Sequence, residues 1–444
     1  MSFARYPTYK DSGVEWLGKV PAHWKTAPLK SVSTHNDEVL DERTAPDAEI
    51  VYVDISSVDA VNGIKTKEGM LFSAAPSRAR RRVKHGDVIV STVRTYLKAI
   101  AKISDPEENL IVSTGFAVIR PRGELMPDFL GHLVAAGFFV EQVIAHSTGV
   151  SYPAINASEL VAILVPVPPF SEQTQIAAFL DRETAKIDGL VAEQRRLMAL
   201  LKEKRQAVIS HAVTRGLNPD APTKPSGIEW LGDVPAHWEA RTIAKASTKI
   251  TNGFVGPTRD ILVDAGTPYI QATHIKNGRV NFDNRYFVRP EWSVAHAKSI
   301  LSTGDVLIVQ TGAGTGDVGL VSVNEVGYNC HALIIVAPDK SLLHGTFLSA
   351  VLQSTYGQEK LTSIETGAMH PHLNCGEIKF VEIPLPPLDE QSDIVAYINR
   401  TAGQFDTLTA EAQRAIALLQ ERRTALISAA VTGQIDVRAI ANSL

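Results

Sequence analysis

Two peptides in this chain are nearly the same. Gly13–Trp24 reads GVEWLGKVPAHW and Gly227–Trp238 reads GIEWLGDVPAHW, identical at ten of twelve positions and 214 residues apart. Further along, the offset becomes 218. His85-Gly-Asp-Val-Ile answers Thr303-Gly-Asp-Val-Leu, VPVPPFSEQ (Val165–Gln173) answers IPLPPLDEQ (Ile383–Gln391), and AVISHAVT (Ala207–Thr214) answers ALISAAVT (Ala425–Thr432). A direct repeat of this length is far longer than the 20–50-residue unit of a solenoid, so each copy is a domain with an appendage. At roughly 100–200 residues per domain, 444 residues make about three domains. The tryptophan box, the Pro-Pro-x-x-Glu-Gln turn and the last helix match well. Residues 25–165 and 239–383 match only at scattered points. A duplicated scaffold with two divergent inserts implies two similar tasks on different targets.

Each insert reads as mixed helix and strand. Ile50–Ile55, Asp87–Val93, Phe116–Pro121 and Asp305–Thr311 are β-branched runs bounded by turn residues. Asn62-Gly63 and Asn277-Gly278 are turn dipeptides. Met126–His146 and Leu342–Ile364 are expected to be helices. Each insert ends at prolines (Pro166, Pro168, Pro169; Pro384, Pro386, Pro387), followed by Ser171-Glu172 or Asp389-Glu390, a helix start with its early acid.

The helices that follow are expected from about Glu172 to Thr214 and from about Glu390 to Val431, each about 63 Å long at 1.5 Å per residue. Their apolar residues recur every seven positions. One register holds Leu180, Ile187, Leu201 and Val208, matched by Ile398, Phe405, Leu419 and Leu426. The other holds Ile176, Leu190 and Leu197, matched by Ile394, Leu408 and Ala415. That is coiled-coil spacing. A lone amphipathic helix is marginal in water, so each needs a partner stripe, and the other long helix is the nearest. Packed parallel, the helices would put both inserts at one end; packed antiparallel, which is favoured, the direct repeat becomes a pseudo-two-fold object, a rod with one insert at each end. The fold class is α+β.

Composition narrows the function. Hydrophobic residues make up 44% and charged residues 21%, as in an ordinary soluble protein. No run approaches ~18 apolar residues, and the N-terminus has no signal-peptide pattern. The two cysteines cannot form a disulfide framework, and a reducing cytoplasm is expected. The net charge of −4 is no bulk-basic footprint, so nucleic-acid binding needs local patches. One exists: Arg78–Lys102 holds eight bases (Arg78, Arg80, Arg81, Arg82, Lys84, Arg94, Lys98, Lys102) against Asp87, a local +7. Such a stretch can neutralise several phosphates, although a solvated surface is the plainer reading. In the second copy, Arg241–Lys298 mixes nine bases with four acids and with amide, hydroxyl and ring side chains. Asn252, Arg259, Gln271, Thr273, His274, Lys276 and Arg279 are the candidates there, because amides and Arg read base edges while cations hold phosphates.

Several motifs have bland alternatives. Gly312-Ala-Gly-Thr-Gly316 looks like a phosphate-cradling loop, but the first copy has Thr92-Val-Arg-Thr-Tyr there and no helix follows; a polar loop facing DNA fits both copies better than a nucleotide site. Thr92, Thr311 and Thr315 join the candidates on that ground. Thr148 and Thr366 join them from a turn shared by both copies (Thr-Gly, then Pro and Asn). Val167-Pro-Pro-Phe170 resembles an amino-methyltransferase motif only superficially, since Val167 and Leu385 cannot accept a hydrogen bond from a target amine. His370, His372 and Cys375 could bind metal, but the first copy has no equivalent. Glu377-Ile-Lys379 lacks the earlier acid of a nuclease site. Trp16, Trp24, Trp230 and Trp238 are expected to be apolar anchors.

The repeated E-W-L-G-x-V-P-A-H-W, each closed by P-x-P-P-x-x-E-Q and a long helix, resembles the specificity subunit of type I restriction–modification enzymes over essentially the whole chain. The resemblance implies two target-recognition domains (1–165 and 218–383), each reading one half of a bipartite site in double-stranded DNA. It implies two conserved spacer helices (166–217 and 384–444) forming an antiparallel coiled coil that docks two modification (methyltransferase) subunits and, where present, two restriction subunits. It implies no catalytic residue, metal or cofactor in this chain; S-adenosylmethionine, and ATP with Mg for restriction, belong to the partners. A stand-alone DNA-binding adaptor, and an enzyme such as a nuclease or methyltransferase, are the competing classes.

Overall fold

The computed structural model describes residues 3–59, 63–367 and 371–441, so Asn62 and His370 lie outside the described residues. The chain forms two compact units, residues 1–194 with 413–444, and residues 195–412. The long helices run Phe170–Arg215 and Leu388–Val431. Each therefore begins in one unit and ends in the other. The divisions expected at 165/166 and 383/384 fall inside the strands Leu164–Val167 and Glu382–Leu385.

In the first unit, one antiparallel sheet has the order Ile100–Lys102, Val88–Ser91, Phe116–Pro121, Ser33–His35. A second has the order Glu68–Leu71, Glu49–Val53, Leu110–Ser113, Ala79–Arg82, with its middle pair parallel. The second unit repeats the plan. Its larger sheet includes Ser247–Asn252, Leu333–Pro338 and Val306–Val309, and Thr267–Ile270 runs parallel to Asn329–Cys330. The central strands of the larger sheets are buried along their length, as their apolar runs require.

The helices expected over Met126–His146 and Leu342–Ile364 are each broken in two. They are Pro127–Ala135 with Gly137–Ala145, bent by 61°, and Gly345–Gln353 with Thr355–Ser363. Ala136 and Ser354 are extended (ψ 144° and 164°), which frees backbone N–H groups that a continuous helix would bond internally. A long helix supplies the acceptor. Gly137 N donates to Ser428 Oγ at 3.1 Å, and Thr355 N donates to Ser210 Oγ at 2.8 Å. Apolar periodicity could not show this break, because the buried face continues across it.

The two long helices pair antiparallel in each unit. Arg423 donates to Asp188 at 3.0 Å in the first unit, and Arg205 to Asp406 at 2.5 Å in the second. Residues 188 and 423, and 205 and 406, both add to 611, the constant sum an antiparallel register demands. The register of Leu180, Ile187 and Leu201 is buried, as are Ile398 and Leu426. The other register divides: Ile176 and Ile394 are buried, while Leu190, Leu197 and Leu408 are exposed.

The Glu-Gln pair at the head of each long helix is an anchor. Glu172 accepts from the Trp24 indole N–H at 3.0 Å and the Tyr6 hydroxyl at 3.0 Å, and lies 2.6 Å from His23 Nε2. Burial and this carboxylate raise the Tyr6 pKa far above the ordinary phenol value. Glu390 holds Trp238 at 3.0 Å and His237 at 2.7 Å. Gln173 accepts from Met126 N and donates to the carbonyls of Glu124 and Pro168; Gln391 does the same with His344, Leu342 and Pro386. Trp24 and Trp238 are fully buried. Trp16 stacks on Phe138 at 5.5 Å, but Trp230 is 56% exposed under the Lys360 ammonium, so it is not the buried anchor expected. The C-terminal glycine of each helix, Gly216 or Gly433, has φ +74° or +72° and packs against one of these tryptophans; a Cβ on Gly433 would meet Pro21 at 2.4 Å.

The buried carboxylates of the larger sheets differ. Asp87 receives two bonds from Arg120, at 2.8 and 2.7 Å. Its counterpart Asp305 has Ala337 where Arg120 stands, and burial pushes its carboxyl pKa up. A raised carboxyl pKa means the folded state binds the proton more tightly, so stability is lost as pH rises through that pKa.

Two outcomes follow. Glu172→Ala leaves the Trp24 and Tyr6 donors without their acceptor and lowers stability by about 3 kcal/mol, read as a lower urea midpoint in tryptophan fluorescence; an unchanged midpoint would refute the anchor. Asp305→Asn raises thermal stability at neutral pH and leaves it unchanged in acid; a loss at neutral pH that disappears in acid would show the charge itself is needed.

Candidate nucleic-acid interface

The first unit does not present its basic run as one patch. Arg78 pairs with Asp54 at 2.8 Å and donates to the Tyr52 hydroxyl. Lys84 pairs with Glu38, and Lys102 with Asp128 at 2.7 Å. The local +7 counted along the chain is therefore reduced by acids from distant segments. Arg80 lies over the Phe72 ring at 4.7 Å. Arg81 is half-buried and donates to Thr114 O at 3.2 Å, and burial holds its pKa below the usual arginine value. Arg82, Arg94 and Lys98 are exposed, with no carboxylate in salt-bridge reach among the described residues. Thr92 is buried and its hydroxyl donates to Gly115 O at 3.0 Å, so it supports the loop rather than facing DNA.

One loop pair occurs in both units. In the first, Val93 bridges Ala154, and Thr148 bridges Ala154. In the second, Thr311 bridges His372, and Thr366 bridges His372. All three positions keep the 218 offset. Thr148, Thr311 and Thr366 are exposed along these loops, and Thr315 donates to Gly312 O at 2.7 Å within the glycine-rich one. The structure thus brings the glycine-rich loop and the shared Thr-Gly turn together, which chain position alone could not establish. His372 lies in this turn with its ring on the Thr366 hydroxyl at 3.0 Å. Cys375 donates its thiol hydrogen to Asn252 Oδ1, which ties that candidate to the turn.

Elsewhere in the second unit, Lys276 and Arg279 pair across a tight hairpin, both exposed, with Asn277 at φ +51°. Arg259 and Thr273 are exposed and Gln271 is half-buried. His274 is 2% exposed, accepts from Gln271 N at 2.8 Å and donates to Asn284 O at 2.5 Å. Both ring nitrogens are committed, so His274 is a core histidine and not a reader. Sequence reading missed Tyr96, Leu97, Val150 and Tyr152, large exposed side chains on the first unit's loop pair.

Among the described residues, no group of three or more His, Cys, Asp or Glu side chains converges as metal donors. No single described helix is long and apolar enough to cross a membrane.

Known proteins share this architecture. Residues 61–195 and 231–416 match the family model described as type I restriction modification DNA specificity domain. The specificity subunit of the type I restriction enzyme EcoBI from Escherichia coli is 25% identical over 308 residues, 68% of this chain and 64% of that protein. The StySPI specificity subunit of Salmonella potsdam is 21% identical over 432 residues, 95% of this chain and 91% of that one. The chain thus spans just under two thirds of the first relative and nearly all of the second. Among solved structures, a chain of a type I R-M system described for its complex assembly and conformational transition is 26% identical, with a TM-score of 0.73 over 93% of this chain and 98% of its own. The HsdS subunit of Thermoanaerobacter tengcongensis, also 26% identical, gives 0.53 over 94% and 98%.

The three unpaired cations set an expectation. Replacing Arg82, Arg94 and Lys98 with Gln flattens the log–log salt dependence of DNA binding by about 2–3, at roughly 0.9 for each phosphate contact. Replacing the ion-paired Arg78, Lys84 and Lys102 changes it less. Equal slopes for the two triple variants would mean the pairings do not matter to binding.

Proposed function

We infer the function from one premise: this chain belongs to the type I restriction–modification DNA specificity family. It is the sequence-specific DNA-recognition subunit of a type I restriction–modification complex, and each insert reads one half of a bipartite site. The observation that carries this reading is the loop pair built twice on the same bridges, with different side chains in each unit. Identical scaffolds with different loops are what two half-sites of different sequence require. The recognition domains are residues 1–165 and 218–383, and the spacer helices 166–217 and 384–444.

The long helices carry a second duplicated surface. Leu190 and Leu408 are equivalent positions, as are Leu200 and Leu418, and all four are 45–65% exposed. An apolar side chain kept outside at the same place in both copies supports one docking site per copy. The occupants we assign are two modification subunits, one on each. The chain is then non-catalytic: S-adenosylmethionine sits on the modification subunits, and ATP with Mg on restriction subunits where these join. The site of action is the cytoplasm, where the DNA is. A stand-alone adaptor would have no use for these exposed leucines.

Methylome sequencing of the source cell with and without this gene tests the reading. Loss of methylation at one bipartite motif is expected, and it yields both half-sites. No lost motif overturns the assignment. Adding one turn, about four residues, to either long helix should then change the spacer between the half-sites and leave their bases unaltered. A spacer that stays the same would show that helix length does not set it.

A further inference from the structure

Tyr96, Leu97, Val150 and Tyr152 are each at least half exposed, and they stand on two loops that are fastened together. Thr95 Oγ1 and Ser147 Oγ are 2.8 Å apart, Arg94 N donates to Pro153 O at 2.8 Å, and Ile155 N donates to Thr92 O at 2.9 Å. Four large apolar side chains on one fastened rim are an exposed patch that folding alone does not account for. The fold does not need them. The same loop pair in the second unit has Gly312-Ala-Gly-Thr-Gly316 in its first loop, with no side chain larger than threonine. The patch therefore belongs to what the first insert does, not to how it stands.

Charge indicates the partner. Neither Thr92–Lys98 nor Ser147–Pro153 contains an acid, while Arg94 and Lys98 are both exposed. The Arg94 guanidinium lies over the Tyr152 ring at 4.8 Å. Arg94 and Lys98 both take left-handed backbone (φ 49° and 52°), uncommon for side chains of this size, and they bracket the turn Thr95–Leu97 that carries Tyr96 and Leu97. Gly149, at φ +105°, makes the matching turn in the second loop. Apolar side chains framed by cations, with no acid among them, fit a partner that presents flat rings beneath phosphates.

We propose that the loops Thr92–Lys98 and Ser147–Tyr152 form a wedge that enters the DNA of the first half-site and unstacks one base step there, the second half-site being left stacked. The inference rests on the recognition reading above and adds a mechanical role and an asymmetry to it. Side chains such as Leu inserted between base pairs part and kink a duplex, and tyrosine rings offer a stacking surface to the bases so exposed. Flexible steps at the wedge position would be favoured without any hydrogen bond to their bases, so the wedge contributes specificity through deformability.

The test uses the full chain assembled with its modification subunits, and duplexes carrying the motif found by methylome sequencing. 2-Aminopurine is placed at each step of both half-sites in turn, away from the methylated adenine. The wild-type complex should brighten the probe at one step of one half-site only. Tyr96→Ala with Leu97→Ala, and separately Val150→Ser with Tyr152→Ala, should abolish that gain and weaken binding about tenfold. Tyr96→Phe should retain both, which separates a wedge from a misfolded loop. Binding without brightening overturns this inference alone, as does brightening that survives both double variants. Loss of a modification subunit from the variant complexes, seen as a lower mass, would assign the loops to a protein contact and overturn it too. A wild-type complex that binds no motif overturns the recognition reading and this inference with it.

Discussion

Each long helix is held at both ends by polar groups whose partners lie elsewhere in the chain. At its head, a glutamate (buried in the first copy, half-buried in the second) takes the indole N–H of the box tryptophan, and the following glutamine clips the broken helix of the insert. Near its tail, a serine accepts the N–H freed at the break in the other insert's helix. Where such a bond is buried, as between Trp24 and Glu172, it matters chiefly through the cost of leaving a donor unpaired, about 1–3 kcal/mol. Because both copies use the same bonds, neither unit is complete without the end of the helix begun in the other.

That dependence separates what is constant from what varies. The Trp box, the Glu-Gln pair, Ser210 and Ser428 all serve the frame. The loop pairs hang from the frame by backbone bridges, which constrain side chains little. The first unit could therefore carry Arg94 and Tyr96 where the second carries Gly312 and Gly314, on the same bridges. The exposed leucines on the helices stand in neither class: they are constant yet outside, as a shared docking surface would be.

Much of this was legible in the chain itself. The repeat, the length of the helices and the seven-residue register all follow from spacing, and Leu180, Ile187 and Leu201 are buried as that spacing requires. The candidate interface was less legible. The basic run at Arg78–Lys102 counts as +7 only while Asp54, Glu38 and Asp128 are out of view, and these acids arrive from other strands and a helix. His274 has a reader's chemistry but spends both ring nitrogens on backbone groups. Trp230 repeats Trp16 in sequence, yet it meets a lysine where Trp16 meets a phenylalanine, and stays exposed.

The amino-acid sequence by itself determined the duplication and the two long helices, because periodicity is a local property that one strand of text can carry; their antiparallel pairing was settled by Asp188 meeting Arg423 and Arg205 meeting Asp406. It also determined the family, since the repeated box and turn are contiguous. Only the tertiary structure decided which cations are unpaired, where the insert helices break, and which apolar side chains face outward. Those outcomes depend on groups far apart in the chain meeting in space, and ion pairing and burial are properties of the meeting, not of either partner alone.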